Sequence, residues 1–156
     1  MKTYIGTKSV KMQPMTRGKY NALRGWVVPE DENPSDEGYL VEYLDGGKPN
    51  HPDFAGYISW SPKEQAEAAY RPVDGLTFGL AIEALKRGNR VLRKGWNGKG
   101  MWLALIKNGN FDVGVSTVGS ATELLPWIGM KTADNKFVPW IASQTDMLVE
   151  DWVIVE

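Results

Sequence analysis

The segment that most restricts the possible fold is Tyr70-Arg71-Pro72-Val73-Asp74-Gly75, where a proline and an Asp-Gly pair interrupt two patterned regions. Residues of these types end helices and strands, and segments rich in them commonly separate domains. At 156 residues the chain suits one compact domain or two small ones. We therefore expect two subdomains, formed by residues 1–72 and residues 73–156.

The first region has the pattern of three strands and two short helices. Thr16 can cap a helix that ends near Leu23, with Tyr20 and Leu23 facing the core. Ser61-Pro62-Lys63-Glu64 predicts a second helix that runs to about Ala69, with the serine as the cap and the proline at the first helical position. Strands are predicted at residues 4–12, 38–44 and 56–60.

The second region begins with another well-marked helix. Thr77 caps it, its apolar residues recur at i, i+3, i+4 and i+7, and Gly88 ends it. The elements predicted after it are strands at 89–94, 101–107 and 151–155, a turn at Asn108-Gly109, a hairpin of 125–131 and 136–141, and a helical turn at 143–150. Short helices interspersed with antiparallel strands predict an α+β fold with small antiparallel sheets.

The composition excludes several classes of protein. The formal charge of −1 is too low for a protein that tracks nucleic-acid phosphates, so no binding of DNA or RNA is expected. The absence of cysteine rules out disulfides and thiolate zinc sites. No apolar run approaches the roughly 20 residues of a membrane span. A soluble intracellular protein without membrane contact is expected.

Catalytic signals are weak throughout the sequence. His51 is the only histidine, and its polar surroundings, Asn50-His51-Pro52-Asp53, predict a solvated turn residue rather than a catalytic base or a metal ligand. The glycines of GWNGKG do not have the spacing of a P-loop or of a dinucleotide fingerprint. The sequence therefore argues against an enzyme, and we predict no catalytic residue, cofactor or metal site.

The stretch Arg93-Lys94-Gly95-Trp96-Asn97-Gly98-Lys99-Gly100-Met101-Trp102 combines cations, bare backbone and flat rings without an acidic residue. It lies within residues 84–111, which carry seven cations and no carboxylate. Arginine and lysine bind phosphate oxygens, glycines let backbone N–H groups approach an anion, and indoles stack on bases. Asn97 can bind a base edge or a sugar hydroxyl. The alternative is an ordinary hairpin, in which Trp102 is core and the lysines solvate an edge.

A second polar stretch occurs in Pro139-Trp140-Ile141-Ala142-Ser143-Gln144-Thr145-Asp146. Ser143 or Thr145 can cap the helical turn that follows. Gln144 and Asp146 exceed what a cap requires, and their side chains suit amide, amine and hydroxyl edges. A cationic aromatic loop and a polar loop together match the needs of a nucleotide that carries phosphates and a base.

Several ordered motifs also resemble those of a known family. They are Thr77-Phe78-Gly79, Lys94-Gly95-Trp96-Asn97-Gly98-Lys99-Gly100-Met101, Phe137-Val138-Pro139-Trp140-Ile141-Ala142-Ser143-Gln144-Thr145-Asp146-Met147-Leu148 and Glu150-Asp151-Trp152. Through them, residues 76–155 resemble small phage proteins that counter the Thoeris defence system, the second such anti-defence family described. Residues 1–72 resemble an accessory region of other phage proteins.

The resemblance implies a sponge, a protein that binds a signalling nucleotide and holds it intact. The implied ligand is the cyclic ADP-ribose isomer made by TIR enzymes of the defence system, and some relatives are also thought to sequester cyclic dinucleotides. Members form homo-oligomers with pockets where subunits meet, here a dimer or tetramer in the cytoplasm of the infected bacterium. The candidate ligand-binding residues are Phe78, Arg93, Trp96, Asn97, Met101, Trp102, Trp140, Ser143, Gln144, Thr145 and Asp146.

Two other functions stay open from the sequence. A phage structural or inhibitor module would act by protein contact and would show no stabilisation by nucleotides. A nucleotide hydrolase would convert its ligand, whereas a sponge releases it unchanged.

Overall fold

The chain divides into two compact units, Met1–Tyr70 and Arg71–Glu156. A computed structural model describes residues 1–96, 99–107 and 125–155. Within these residues each unit holds one small antiparallel sheet with short helices, which confirms the predicted α+β fold. No helix in the described ranges is long and apolar enough to cross a membrane. The predicted turn at Asn108-Gly109 lies outside those ranges.

The first unit is built on a three-stranded sheet. Its elements are β1 (Val10–Pro14), α1 (Arg17–Arg24), β2 (Gly38–Tyr43), β3 (Tyr57–Pro62) and α2 (Lys63–Ala69). The strand order is β1-β2-β3, and each neighbouring pair is antiparallel. The predicted first strand begins too early, because pairing starts only where Val10 lies opposite Tyr43, the last residue of β2.

α1 supplies the core of the first unit. Thr16 Oγ1 accepts a hydrogen bond from the Lys19 amide at 3.4 Å, as predicted for the cap. Tyr20 is buried against Leu40 and Ile58 of the sheet, and Leu23 packs at the edge of this cluster. The prediction that Tyr20 and Leu23 face the core is therefore confirmed.

The start of α2 differs from the prediction. The helix begins at Lys63, Pro62 occupies the N-cap, and no side chain caps it. Ser61 stays in β3, where it pairs with Tyr39 of β2, and the ladder continues through Pro62. The predicted cap at Ser61 is therefore wrong, because strand pairing extends past the position at which a capping serine would have to lie.

The second unit is built on a five-stranded sheet. Its elements are α3 (Phe78–Lys86), β4 (Arg90–Arg93), a 3-10 turn (Lys94–Trp96), β5 (Trp102–Ile106), β6 (Trp127–Lys131), β7 (Phe137–Pro139), α4 (Gln144–Leu148) and β8 (Trp152–Val155). The strand order is β7-β6-β5-β4-β8, so the last strand pairs with β4. α3 packs on one face of the sheet, where Leu85 shares a core with Val91, Leu103 and Trp152.

Local signals set the ends of these elements as predicted. Thr77 Oγ1 accepts a hydrogen bond from the Leu80 amide at 3.3 Å at the start of α3. Gly88 follows the helix with a φ of 92°, a conformation that favours glycine. The predicted hairpin of β6 and β7 is present, and Asn135 in its turn has a φ of 62°. Asparagine tolerates this left-handed conformation better than most residues.

Leu85 tests the packing of α3, because its side chain is 1% exposed. Leu85→Ala is expected to lower the free energy of unfolding by about 2–5 kcal/mol through lost apolar contacts and a residual cavity. The matched control is Leu148→Ala, since Leu148 is 79% exposed at the end of α4. The control should change the stability by less than about 0.5 kcal/mol. Urea titrations followed by tryptophan fluorescence measure both variants, and equal losses would contradict this packing.

Candidate functional site

Four rings of the second unit form a group that we call the indole cluster: Phe78, Trp96, Trp140 and Trp152. Trp152 is fully buried at its centre. The ring centroids of Phe78 and Trp96 each lie 5.6 Å from that of Trp152, and that of Trp140 lies at 6.0 Å. The three outer rings are only partly buried. Because tilted and edge-to-face contacts hold rings in defined orientations, the cluster offers preformed aromatic surface to a ligand.

Each ring reaches the cluster from a different element. The four positions are the first residue of α3, the end of the 3-10 turn after β4, the residue after β7 and the first residue of β8. The turn that carries Trp96 is anchored to the start of β8, because the Lys94 amide donates to the Asp151 carbonyl at 3.0 Å. The cluster therefore depends on the pairing of β4 with β8.

Arg93, at the end of β4, is held by two carboxylates. Its Nε and Nη2 donate to Asp151 Oδ1 and Oδ2 at 2.9 and 3.2 Å, and its Nη1 donates to Asp146 Oδ1 at 2.8 Å. The hydrogen bonds to Asp151 and Asp146 raise the pKa of Arg93, so its charge is permanent. A planar guanidinium bound in this two-sided way fixes the orientation of both partners. Arg93 therefore joins β4 to α4 and to the start of β8.

Asp146 connects this ion pair to the N-terminus of α4. Its Oδ2 accepts hydrogen bonds from the Ser143 amide at 2.9 Å and the Ser143 hydroxyl at 2.6 Å, and the Asp146 amide donates to Ser143 Oγ at 3.1 Å. This reciprocal arrangement is a capping box. Asp146 therefore completes the predicted cap with one carboxylate oxygen and, beyond what a cap requires, binds Arg93 with the other.

The environment of Asp146 keeps its carboxylate charged. Burial by itself raises the pKa of Asp146, but hydrogen bonds from Ser143 and Arg93 outweigh that effect, and the pKa lies below its ordinary value. Because both carboxylate oxygens already accept hydrogen bonds within the protein, Asp146 is poorly placed to take a proton from a ligand.

Six of the candidate residues make such contacts within the second unit. The residues that the ring contacts, the ion pair and the capping box bring together are Phe78, Arg93, Trp96, Trp140, Ser143 and Asp146. Gln144 and Thr145 are exposed in the first turn of α4. Their amide and hydroxyl groups can therefore reach a ligand in solvent. Asn97 lies outside the described residues.

Trp102 faces the other side of the sheet. The next residue, Leu103, is buried with α3, and strand alternation turns Trp102 away from that face. There the Arg90 guanidinium lies 5.0 Å from the centroid of the Trp102 ring, and the Phe137 ring lies at 6.0 Å. Met101 is half-buried just before β5. Trp102 therefore packs apart from the indole cluster that Trp96 joins.

Residues 84–111 contain no carboxylate, but carboxylates from other parts of the second unit form ion pairs with their cations. Lys94 Nζ lies 3.4 Å from Asp74 Oδ2, in addition to the two carboxylates on Arg93. Lys86 also pairs with Glu83, one turn earlier on α3, at 2.7 Å. The positive charge that residues 84–111 show in sequence is thus partly neutralised by the fold.

His51 belongs to the first unit. Its Nδ1 accepts a hydrogen bond from the Asp53 amide at 3.2 Å, as expected in a turn. Its ring packs edge-on against Phe54 at 5.5 Å, and its side chain is only 13% exposed. The prediction of a solvated histidine is therefore wrong, because Phe54 covers the ring. In the described ranges, no group of three or more His, Cys, Asp or Glu side chains could hold a metal ion.

Sequence reasoning missed Asp151 and Trp152. Two adjacent carboxylates rarely converge on one substrate, so Glu150-Asp151 did not indicate a site. The register that places Trp152 opposite Arg93 joins residues distant in sequence and becomes visible only when β8 is paired with β4. The available signals were the motif Glu150-Asp151-Trp152 and its place at the start of an aliphatic strand.

The segment that contains the candidate site is similar to known proteins. The family model of the Thoeris anti-defense 2-like domain matches residues 76–155, which include all of the candidate site residues. The curated protein "Thoeris anti-defense 2" of Bacillus phage SP01 is 44% identical over 84 residues, which are 51% of this chain and 94% of that protein. From this match over half of its length, the chain belongs to the Thoeris anti-defense 2-like family.

Proposed function

We propose that this protein counters Thoeris defence by binding a cyclic ADP-ribose-type signal and holding it without cleaving it. The observation that carries the proposal is the family match over residues 76–155, together with the 44% identity to a phage protein named for anti-Thoeris activity. We assign the activity to residues 73–156 and regard residues 1–72 as an accessory region. The protein would act in the cytoplasm of the infected bacterium.

The indole cluster suits the base of such a ligand. Trp96 and Trp140 are partly exposed, their ring centroids lie 6.4 Å apart, and buried Trp152 supports both. Stacking of a base on an aromatic ring contributes about 1–3 kcal/mol. Gln144 and Thr145, exposed in the first turn of α4, would bind the amide and hydroxyl edges of the ligand.

Lys94 is the cation best placed to bind a phosphate group. Its side chain is 56% exposed, and its partner Asp74 is 65% exposed. An exposed ion pair at 3.4 Å contributes less than about 1 kcal/mol, so Lys94 can exchange Asp74 for a phosphate at little cost. Arg93 differs, because its carboxylate partners are more buried. We regard Arg93 mainly as a positioning residue for the loop that holds Ser143 and Asp146.

The two faces of the sheet favour a pocket shared between copies. Because Trp96 and Trp102 pack on different faces, we infer that a ligand in contact with both takes one of them from a second copy. Exposed apolar side chains close to α4, Ile141 at 91% and Leu148 at 79%, also favour association. We therefore propose a homo-oligomer, a dimer or a tetramer, in which the ligand lies between subunits.

The fate of the ligand tests the proposal most directly. The purified full chain is incubated with cyclic ADP-ribose isomers, filtered and heated, and the released nucleotide is identified by mass and retention time. We expect nanomolar affinity, about −12 kcal/mol, and nucleotide recovered unchanged in stoichiometric amount. A product that accumulates over many turnovers would identify a hydrolase instead. Failure to retain any isomer, with protection against Thoeris preserved, would indicate action by protein contact.

Variants of the two tryptophans test the shared pocket. Trp96→Ala and Trp102→Ala should each weaken binding by about 1–3 kcal/mol through lost stacking. If the two rings come from different copies, random mixed oligomers of the two variants should recover roughly a quarter of the intact sites. Calorimetry on co-expressed variants measures this recovery. Trp26→Ala, at a 54% exposed ring of the first unit, is the matched control. Lack of recovery on mixing would contradict a pocket between copies.

Asp146→Asn tests the positioning role of the ion pair. Because the folded pKa of Asp146 is depressed, its contribution to stability is full above the unfolded carboxyl pKa and is lost as the pH falls through the folded pKa. The variant should lose about 1.5–3 kcal/mol at pH 7, the range for charged hydrogen bonds, and should lose part of this acid dependence. Thermal unfolding between pH 3 and pH 7 measures both effects. Asp53→Asn, at a carboxylate 78% exposed, is the control and should leave the stability unchanged.

A further inference from the structure

The first unit contains a groove beyond the end of α2. Its volume is about 630 Å³, and Tyr43, Tyr57, Tyr70, Lys8 and Asp45 contribute to its walls. Tyr43 lies opposite Tyr57 in the pairing of β2 with β3, so both rings project from the same face of the sheet. α2 ends at Ala69, and Tyr70 follows it in an extended conformation. The groove thus lies where the helix no longer covers the sheet.

The tyrosine rings form an ordered aromatic wall. The centroids of Tyr43 and Tyr57 lie 6.3 Å apart at an interplanar angle of 47°. The Ser59 hydroxyl donates to the Tyr43 hydroxyl at 3.4 Å. Burial, followed by the hydrogen bond to Tyr43, raises the pKa of Tyr70, so its phenol stays neutral. Neutral phenol rings present electron-rich faces, which attract cations.

The ammonium group of Lys8 already lies against this aromatic wall. Lys8 Nζ lies 5.0 Å from the centroid of the Tyr43 ring, within the distance at which a cation is attracted to an aromatic face. Lys8 is exposed and precedes β1, outside the regular structure of the sheet. The adjacent Ser9 amide donates to Asp45 Oδ2 at 3.3 Å, which attaches the segment to the rim of the groove.

The rim and the charge of the unit also favour a cation. The Asp45 carboxylate supplies a negative group at the groove, and the first unit carries eight basic and ten acidic side chains. Gly46 and Gly47, with φ of 134° and 92°, place no side chain over the opening. A Cβ built on Gly46 would meet nothing within 4 Å. A ligand can therefore enter over this edge.

We propose that the groove binds an alkylammonium group and that Lys8 occupies it when no ligand is present. The rings of Tyr43, Tyr57 and Tyr70 would surround the cation, and Asp45 would balance its charge, as in sites that recognise quaternary ammonium groups. A small choline-like amine and a lysine-type side chain of a protein share this chemistry. The site is independent of the nucleotide function proposed above.

Nuclear magnetic resonance titration of the full chain with choline tests the site at constant ionic strength. We expect saturable shifts of the Gly46 and Gly47 amides, and no such shifts with 3,3-dimethyl-1-butanol, the uncharged isostere of choline. Lys8→Met keeps the aliphatic stem but removes the internal competitor, so it should tighten choline binding by about threefold or more. Lys2→Met is the matched control and should bind as the parent chain does.

Variants of the wall complete the test. Tyr57→Leu, at a ring 45% exposed, should abolish the shifts, whereas Tyr4→Leu, at a ring 84% exposed elsewhere in the unit, should not. Asp45→Asn should weaken binding severalfold and serves as the second variant if Tyr57→Leu fails to fold. Tighter binding of a trimethyl-lysine peptide than of choline would identify a protein ligand, and equal binding a small amine. Equal shifts with the neutral isostere, or none in Lys8→Met, would overturn the proposal.

Discussion

The second unit depends on the burial of Trp152 at the start of β8. Its backbone N–H and carbonyl both bond Leu76, its indole N–H donates to the Asp146 carbonyl at 2.9 Å, and its ring supports the outer rings of the indole cluster. This one residue thus connects the entry to α3, the middle of α4 and the candidate ligand surface. Because an indole N–H left without a partner in the core costs free energy, this position couples folding to the geometry of the site.

Ion pairs also join β4 to α4 and to the start of β8. The carboxylates of Asp146 and Asp151 bind Arg93 at the end of β4. The position of this cation is therefore fixed by folding, before any ligand binds. Lys94, in contrast, pairs with an exposed carboxylate, Asp74. Under the function proposed above, this division between a buried and an exposed ion pair would favour a preformed pocket, since ordering achieved during folding need not be repeated on binding.

Local signals predicted most of the fold. The caps at Thr16 and Thr77, the apolar stripe of α3 and the hairpin of β6 and β7 depend on residues within a few positions of one another, and the structure confirms them. The failures have non-local causes. Ser61 does not cap α2, because pairing with β2 keeps it in a strand, and His51 is covered by Phe54.

The sequence by itself determined which chemical groups are present at the candidate site. They are indoles, cations and polar side chains within residues 76–155, the segment that matches the Thoeris anti-defense 2-like family. Only the tertiary structure decided how these groups are used. It turned Trp96 and Trp102 to opposite faces of one sheet and brought Asp151 from a distant strand onto Arg93. Composition and spacing specify which groups are present. Strand pairing joins residues far apart in the chain, and it determines which charges are neutralised and which rings can meet a ligand.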